Sequence, residues 1–145
     1  TWQSDTQSEP SVSALGDGFV VTWRDSDGDD GSRGGSNSDV FAKIFTTTDN
    51  NTAVDTPIVA VDEFLVNDSY DSSSNISSYS GTQYWPKVAT LKDGNFVITW
   101  TDDNGNNNPE GGYSTDTFGQ VYKPDGSKVG TEFRANNYTK SDQDT

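Results

Sequence analysis

The 145-residue chain contains no cysteine, no methionine and no histidine. Without cysteine there is no disulfide framework and no thiolate metal site. Without histidine the common nucleophile–base pairs and zinc sites are excluded as well. No apolar run approaches the roughly 18 residues that a membrane-spanning helix needs. We therefore expect no membrane insertion here, and any export signal must lie in sequence outside these residues.

Basic residues are also scarce, since 9 Lys and Arg stand against 23 Asp and Glu, for a formal net charge of −14. With no basic stripe to neutralise phosphates, nucleic acid is not an expected partner. Cations or cationic surfaces are the natural counterparts of such a chain. A hydrophobic content of 29% would by itself suggest disorder. The apolar residues cluster in short aromatic-rich runs, however, so we predict ordered sheets joined by long polar loops.

Two stretches of the chain are repeated. The run PSVSALGDGFVVTW from Pro10 returns as PKVATLKDGNFVITW from Pro86, and DVFAKIF from Asp39 returns as DTFGQVY from Asp116. Self-similarity of this kind is the signature of a repeat architecture. We divide the chain into a first β repeat, 1–68, with a junction segment 1–9, and a second β repeat, 69–145, with an inter-repeat loop 69–85.

The spacing of the repeats also matches across the two ends of the sequence. Phe64 precedes Pro86 by 22 residues, and the 12 residues after Phe133 followed by the first 10 up to Pro10 make the same 22. The interpretation is that the 145 residues are one period of a tandem array, or a subunit whose successor continues it head to tail. Copies of the same chain are then the expected partners.

Each repeat predicts four antiparallel strands connected as a meander. The first two strands meet at Asp17-Gly18 in one copy and at Asp93-Gly94 in the other. Asp-Gly is a strong hairpin signal, because glycine supplies the positive φ of a tight turn. The third strand starts near Asp39 or Asp116, and the fourth is a short one around Phe64 or Phe133.

The second strands carry apolar side chains on both faces, with the aromatic residues on one of them. Phe19 and Trp23 share a face in the first copy, as Phe96 and Trp100 do in the second, and we predict that all four are buried. A sheet that is apolar on both faces needs a neighbour on each side, as in propeller blades or stacked sheets. The predicted fold is therefore all-β, with two four-stranded antiparallel, blade-like sheets in a tandem or head-to-tail array.

The pattern Q-x-x-P-x-V-x-x-L-x-D-G-x-F-V-V-x-W, followed by a Gly/Asp-rich loop, a V-F-A-x-x-F strand and an E-F-x-V-N exit, resembles the tandem repeats of very large secreted bacterial surface proteins. Such proteins are described as calcium-binding or adhesin-like. The resemblance covers both repeats and implies extracellular, repetitive, blade-like β structure. It implies no catalytic residue. The long Ser/Thr/Asn-rich loops between the repeats depart from the pattern.

The loop after the second strand is a candidate calcium site. Carboxylates at alternate positions direct their oxygens to one point, which suits a hard cation. The candidate ligands are Asp25, Asp27 and Asp29 in the first repeat and Asp102, Asn104 and Asn106 in the second. The glycine usual at the sixth position is Asp30, and no bidentate Glu closes the site. The competing interpretation is a flexible polar loop, so calcium is a candidate cofactor and not a required one.

Four Asn-x-Ser/Thr sequons are candidate sites for covalent glycans. They lie at Asn50, Asn67, Asn75 and Asn137, all in predicted loops or strand exits. Asn67 and Asn137 stand at nearly the same place in the two repeats, and we expect these two to be occupied first. The alternative is that the matches are chance products of an Asn-, Ser- and Thr-rich composition.

Three aromatic residues, Trp2, Tyr84 and Trp85, lie in the junction segments. Packing against a neighbouring sheet is the preferred interpretation, and stacking on a sugar is the alternative. Two carboxylates would suffice to hydrolyse a glycoside, but Asp17 and Asp93 are explained by turns and the other acids by solvated loops. We therefore do not expect an enzyme, and a carbohydrate-active enzyme is the minor alternative.

The function that the sequence favours is that of a structural repeat module in an extracellular or cell-surface fibre or stalk, glycosylated and assembled head to tail through sheet packing. The main alternative is an adhesin or carbohydrate-binding module of a large surface protein. A fibre module requires two adhesive sheet faces. A binding module would instead concentrate exposed aromatic and Asn/Asp residues on one edge of a single repeat.

Overall fold

The computed structural model describes residues 6–26, 38–47, 57–67, 70–71, 76–77, 82–103 and 115–136. These residues form strands and turns, and none of them is helical, so no helix in this part of the chain has the length and apolarity to cross a membrane. The strands are β1 (Gln7–Leu15), β2 (Gly18–Asp25), β3 (Asp39–Thr47), β4 (Pro57–Leu65), β5 (Tyr70–Asp71), β6 (Ile76–Ser77), β7 (Thr82–Thr90), β8 (Phe96–Asp103), β9 (Thr115–Tyr122) and β10 (Lys128–Arg134).

The strands form two four-stranded antiparallel sheets, which confirms the predicted fold class. Sheet 1 has the order β1-β2-β3-β4, and sheet 2 has the order β10-β9-β8-β7. The short strands β5 and β6 pair only with each other. Each sheet is a meander of consecutive strands. The fourth strand of sheet 1 is longer than predicted, because β4 already begins at Pro57.

The hairpin turns of the two repeats place the positive φ on different glycines. In the second repeat Gly94 has φ +86°, as the Asp-Gly signal predicts. In the first repeat the left-handed residue is Gly16, with φ +56°, and Gly18 is already the first residue of β2. A Cβ at Gly18 would meet the Phe45 carbonyl oxygen at 2.0 Å, so Gly18 serves close strand contact rather than the turn.

The first strand of each repeat carries a bulge at the same position. Glu9 and Trp85 both have φ 55°, an uncommon value for residues other than glycine, and both directly precede a proline. The pairing of β1 with β2 and of β7 with β8 shifts register at these residues. The two bulges touch, since the Trp85 amide donates a hydrogen bond to Glu9 Oε2 at 2.5 Å.

Each sheet has an aromatic face and an aliphatic face. The aromatic face of sheet 1 carries Phe19, Val21, Trp23, Phe41, Lys43 and Phe45, and that of sheet 2 carries Phe96, Ile98, Trp100, Phe118, Gln120 and Tyr122. The aliphatic face of sheet 1 carries Val20, Thr22, Val40, Ala42 and Ile44, and that of sheet 2 carries Val97, Thr99, Thr117, Gly119 and Val121.

The ring geometry of the aromatic face is the same in both repeats. The Phe19–Phe45 centroids are 5.0 Å apart with an interplanar angle of 18°, and those of Phe96–Tyr122 are 5.4 Å apart at 16°. The second ring pair of each sheet, Trp23–Phe41 or Trp100–Phe118, has a centroid distance of 6.4 Å in both repeats. The sequence repeat is therefore also a repeat in side-chain arrangement.

The two sheets pack with unlike faces in contact, the aliphatic face of sheet 1 against the aromatic face of sheet 2. The members of both faces share one buried core: Leu15, Val20, Val40, Ala42, Ile44, Val66, Phe96, Ile98, Trp100, Phe118 and Tyr122. Across this contact Phe64 packs on Tyr122, with ring centroids 5.4 Å apart, and the Tyr122 hydroxyl donates to the Val66 carbonyl at 3.1 Å.

The prediction of largely buried aromatic residues holds fully in the second repeat and only in part in the first. Phe96 is 0% and Trp100 1% exposed, whereas Phe19 and Trp23 are only half-buried. The phasing of the strands is as predicted, because Phe19 and Trp23 do share a face. They differ from their counterparts because sheet 1 covers the aromatic face of sheet 2, while no described residue covers the aromatic face of sheet 1.

Trp23 and Trp100 are therefore a matched pair of variants at equivalent positions. Trp100→Ala leaves a cavity between the sheets and is expected to lower the free energy of unfolding by about 3–5 kcal/mol. Trp23→Ala, at low protein concentration, is expected to cost less than about 2 kcal/mol. Urea denaturation followed by fluorescence measures both. Equal losses would contradict the packing described for the two sheets.

Candidate functional site

Each sheet ends in a set of four polar side chains at the edge where the loop between its second and third strands leaves. One residue comes from each of the first three strands, and the fourth follows the last strand. We call these sets tetrad 1 (Gln7, Asp25, Asp39, Asn67) and tetrad 2 (Gln83, Asp102, Asp116, Asn136).

The asparagine of each tetrad binds the third strand in the same way. Asn67 Oδ1 accepts a hydrogen bond from the Val40 amide at 2.8 Å, and Nδ2 donates to Asp39 Oδ1 at 2.8 Å. Asn136 Oδ1 accepts from the Thr117 amide at 2.9 Å, and Nδ2 donates to Asp116 Oδ1 at 2.7 Å. The asparagine thus fixes the chain after the fourth strand and satisfies one carboxylate.

The two aspartates of each tetrad lie directly opposite each other on neighbouring strands. Like charges in that arrangement destabilise a sheet unless they are partnered or one is neutral. In tetrad 1 the Gln7 side chain donates to Asp25 Oδ2 at 3.1 Å. In tetrad 2 the Arg134 guanidinium lies 3.6 Å from Asp116 Oδ2.

Asp102 is the tetrad aspartate whose charged form is least favoured, because its side chain is 0% exposed. Neither carboxylate oxygen makes a hydrogen bond of good geometry within the described residues, although the Gln83 side chain is close enough to favour the charged form somewhat. Burial raises the pKa of Asp102 to about 7, and the nearby carboxylates of Asp103, Asp116 and Asp39 act in the same direction.

The two tetrads are joined through Gln83 at the contact between the sheets. Asn67 Nδ2 donates a second hydrogen bond to Gln83 Oε1, at 3.1 Å. The main chain of Gln83 is held by Ser38, whose hydroxyl donates to the Gln83 carbonyl at 2.8 Å while the Gln83 amide donates to the Ser38 carbonyl at 3.0 Å. Polar contacts therefore set the register in which one sheet lies on the other.

The candidate calcium ligands divide into two described residues and four that lie outside the described residues. Asp25 ends β2 and binds Gln7, while Asp102 is buried between the sheets instead of facing a loop. Asp27, Asp29, Asn104 and Asn106 lie outside the described residues. In the described part of the chain no three acidic side chains converge as metal ligands. Calcium binding stays a prediction that concerns the loops.

Of the four sequons, the described residues include only Asn67, which is buried at the contact between the sheets. Asn67 is 3% exposed, and its Nδ2 donates to both Asp39 and Gln83. A glycan would replace a hydrogen on that nitrogen, so occupancy at Asn67 would cost one of these two hydrogen bonds, and glycosylation stays a prediction. Its structural counterpart is Asn136, not Asn137. Asn50, Asn75 and Asn137 lie outside the described residues.

Sequence reasoning treated these residues as loop and sequon positions and so missed the tetrads. The signal was nevertheless present, because every member recurs at the equivalent position of the second repeat. Gln7 and Gln83 open the Q-x-x-P pattern, and the asparagines close the F-x-x-N exit of each repeat. When a polar residue recurs at the same strand end in both repeats, a contact within the fold is a better prediction than a ligand site.

The junction aromatic residues are only partly packed. Trp85 is 61% exposed and lies edge-on to the half-buried Tyr84, with ring centroids 4.9 Å apart. The preferred interpretation, packing against a neighbouring sheet, therefore does not describe Trp85 within this chain. Trp2 lies outside the described residues.

Within the described part of the chain, no second sheet covers the aromatic face of sheet 1 or the aliphatic face of sheet 2. Among the described residues, four of the seven large apolar side chains with substantial exposure lie on these faces: Val12 (64%) and Val59 (47%) with the first, Val129 (38%) and Phe133 (43%) with the second. Because exposed apolar surface is concentrated on these faces, they are the candidate interaction sites of the chain.

The chemistry available at the tetrads is limited by access. A carboxyl group of raised pKa beside a second carboxylate is the electrostatic arrangement of an acid–base pair. Asp102 is fully buried, however, and Asp116 is 5% exposed, so a substrate does not reach either group in this fold. The arrangement is suited to holding strands in register and to responding to pH.

Comparisons of the chain with protein-family models, with curated proteins and with solved structures gave no significant match. The interpretation of this protein therefore rests on its own repeats, faces and tetrads.

The raised pKa of Asp102 predicts a specific pH dependence of stability. Because its pKa is higher in the folded chain than in the unfolded chain, the folded state binds the extra proton between about pH 4 and pH 7. Folding stability from this group is therefore full below about pH 4 and declines as the pH rises to about 7. One pKa unit corresponds to about 1.4 kcal/mol, so the loss is a few kcal/mol.

Asp102→Asn removes the titrating group and is expected to raise stability at pH 8 and to flatten the profile, as measured by urea denaturation from pH 4 to pH 8. Glu132, whose pKa burial also raises to about 7, leaves a residual slope. Asp125→Asn is the control, because Ser127 lowers the pKa of that exposed carboxyl. A variant profile as steep as that of the unmodified chain would contradict the burial of a charged Asp102.

Proposed function

We propose that this protein is a structural repeat module of an extracellular fibre or stalk, which assembles head to tail through the packing of its sheets. The observation that carries the proposal is the contact of unlike faces between the two repeats. Such a contact leaves one aromatic and one aliphatic face open at opposite ends of the pair. Contacts between unlike surfaces do not close on themselves in a dimer and generate rings or open filaments.

The composition supports a solvated, extracellular role. A net charge of −14 keeps the sides of an assembly in water and opposes unspecific association. The remaining sequons, Asn50, Asn75 and Asn137, lie in the polar segments between and after the strands, and glycans carried there would add to the solvated surface. Calcium bound by the acidic loops would reduce the repulsion between neighbouring units.

An adhesin or carbohydrate-binding module is the second candidate, and Trp85 is the observation that favours it. An exposed tryptophan beside Tyr84 offers a surface on which a sugar ring can stack. The fibre module is the better supported of the two, because the open apolar area lies on the sheet faces rather than at one edge of a single repeat.

The proposal is tested on fibres sheared from the cells that make this protein and analysed by intact-glycopeptide mass spectrometry. We expect the chain to be a main component of the fibres, with a glycan on at least one of Asn50, Asn75 and Asn137 and with Asn67 unmodified. The cytoplasmic fraction of the same cells is the control. Recovery of the chain mainly from the cytoplasm, or its absence from surface fibres, would contradict the proposal.

A further inference from the structure

We infer that the aromatic face of sheet 1 is the docking site for the aliphatic face of sheet 2 of a second copy of this chain. The inference rests on the proposed fibre function and deepens it, since it assigns the two surfaces that meet and the direction in which they meet. The occupant is identified by the contact that already exists inside each chain.

The aromatic face of sheet 1 is the same surface that sheet 2 buries. Phe19, Trp23 and Phe41 correspond to Phe96, Trp100 and Phe118, with nearly equal ring distances and angles. In sheet 2 this surface is covered, and Phe96 and Trp100 are at most 1% exposed. In sheet 1 the same arrangement is open, with Val12 and Val59 exposed at its two sides.

The aliphatic face of sheet 2 likewise corresponds to the surface that covers an aromatic face. Inside the chain, the aliphatic face of sheet 1 covers the aromatic face of sheet 2. Its residues Val20, Thr22, Ala42 and Ile44 are each at most 3% exposed. The equivalent residues of sheet 2 are identical or similar in size: Val97, Thr99, Gly119 and Val121. Both members of the internal contact are therefore present a second time, each without a partner in the described chain.

Lys43 is the charged residue in the middle of the open aromatic face, and Asp25 and Asp39 of tetrad 1 lie at its end. Lys43 occupies the position of the buried Gln120, but its Nζ is 2.9 Å from Asp62 Oδ1, on the edge strand β4. The ion pair turns the ammonium towards the edge of the sheet and leaves the aliphatic part of the side chain on the face. A docked sheet therefore does not bury Lys43 as an isolated charge.

The contact between copies lacks some polar ties of the internal contact. Inside the chain, the Ser11 and Ser13 hydroxyls of β1 accept hydrogen bonds from the Val88 and Thr90 amides of β7. At the equivalent positions sheet 2 has Lys87 and Ala89. We therefore expect association between copies to be weaker than the internal packing, dependent on concentration, and favoured by salt that screens the net charge.

The test uses the purified 145-residue chain, with sedimentation velocity and electron microscopy over a range of protein and salt concentrations. Val59→Glu places a charge on the open aromatic face, and Ile58→Glu is its matched control. The two residues are adjacent on β4, 47% and 45% exposed, and point to opposite sides. Val59→Glu is expected to raise the concentration needed for assembly by at least about tenfold, and Ile58→Glu to leave it nearly unchanged.

The opposite end is tested in the same way. Val129→Glu charges the open aliphatic face of sheet 2, and Lys92→Glu, at an exposed position of the turn between β7 and β8, is its control. A mixture of Val59→Glu and Val129→Glu chains retains one intact pair of faces. It is therefore expected to form a species of two copies and nothing larger, whereas neither variant associates alone. Unchanged thermal unfolding of each variant establishes that it folds.

The outcomes separate the interface from the proposed function. Assembly that both face variants leave unaffected, a Val129→Glu chain that still dimerises alone, or a chain that stays monomeric throughout would each overturn the inference. The analysis of surface fibres decides the fibre function independently. A closed ring of copies, sensitive to both variants, would support the interface and contradict the fibre.

Discussion

The contact between the aliphatic face of sheet 1 and the aromatic face of sheet 2 is the interaction on which the rest of this structure depends. It buries Phe96, Ile98 and Trp100 between the two sheets, each of which must cover its apolar face with another element. Because the faces in contact are unlike, the same contact leaves one of each kind open. We propose that stability within a chain and association between chains are two uses of one surface chemistry, as between the neighbouring units of repeat proteins.

The polar tetrads add direction to a packing that is otherwise unspecific. Apolar sheet faces slide over each other at little cost, whereas the bonds from Asn67 to Asp39 and Gln83 are satisfied in one register only. This register also buries the carboxyl group of Asp102, which costs stability when the group is charged. Burial and the neighbouring acids disfavour the charged form and so raise its pKa. The contact between the two sheets of a chain is therefore more stable at acidic pH, and it loses stability at neutral pH because Asp102 becomes charged.

The sequence allowed the architecture to be predicted because the repeats carry it twice. Strand number, antiparallel order and the shared face of Phe19 and Trp23 all follow from alternation and turns. The different burial of Trp23 and Trp100 could not be predicted, because identical strands acquire different neighbours only through the order of stacking. The burial of Asn67 could not be predicted for a related reason. A local motif does not show that its side chain turns inward to bind the neighbouring strand.

X-ray diffraction from aligned filaments of the chain tests the central claim most directly. Sheets stacked face to face along the fibre place the spacing of roughly 10 Å between sheets along the fibre axis. The spacing of about 4.7–4.8 Å between hydrogen-bonded strands then lies perpendicular to it. We predict that pattern. The reverse, with the 4.7–4.8 Å spacing along the axis as in cross-β fibrils, would show that copies join through strand edges and would contradict the account.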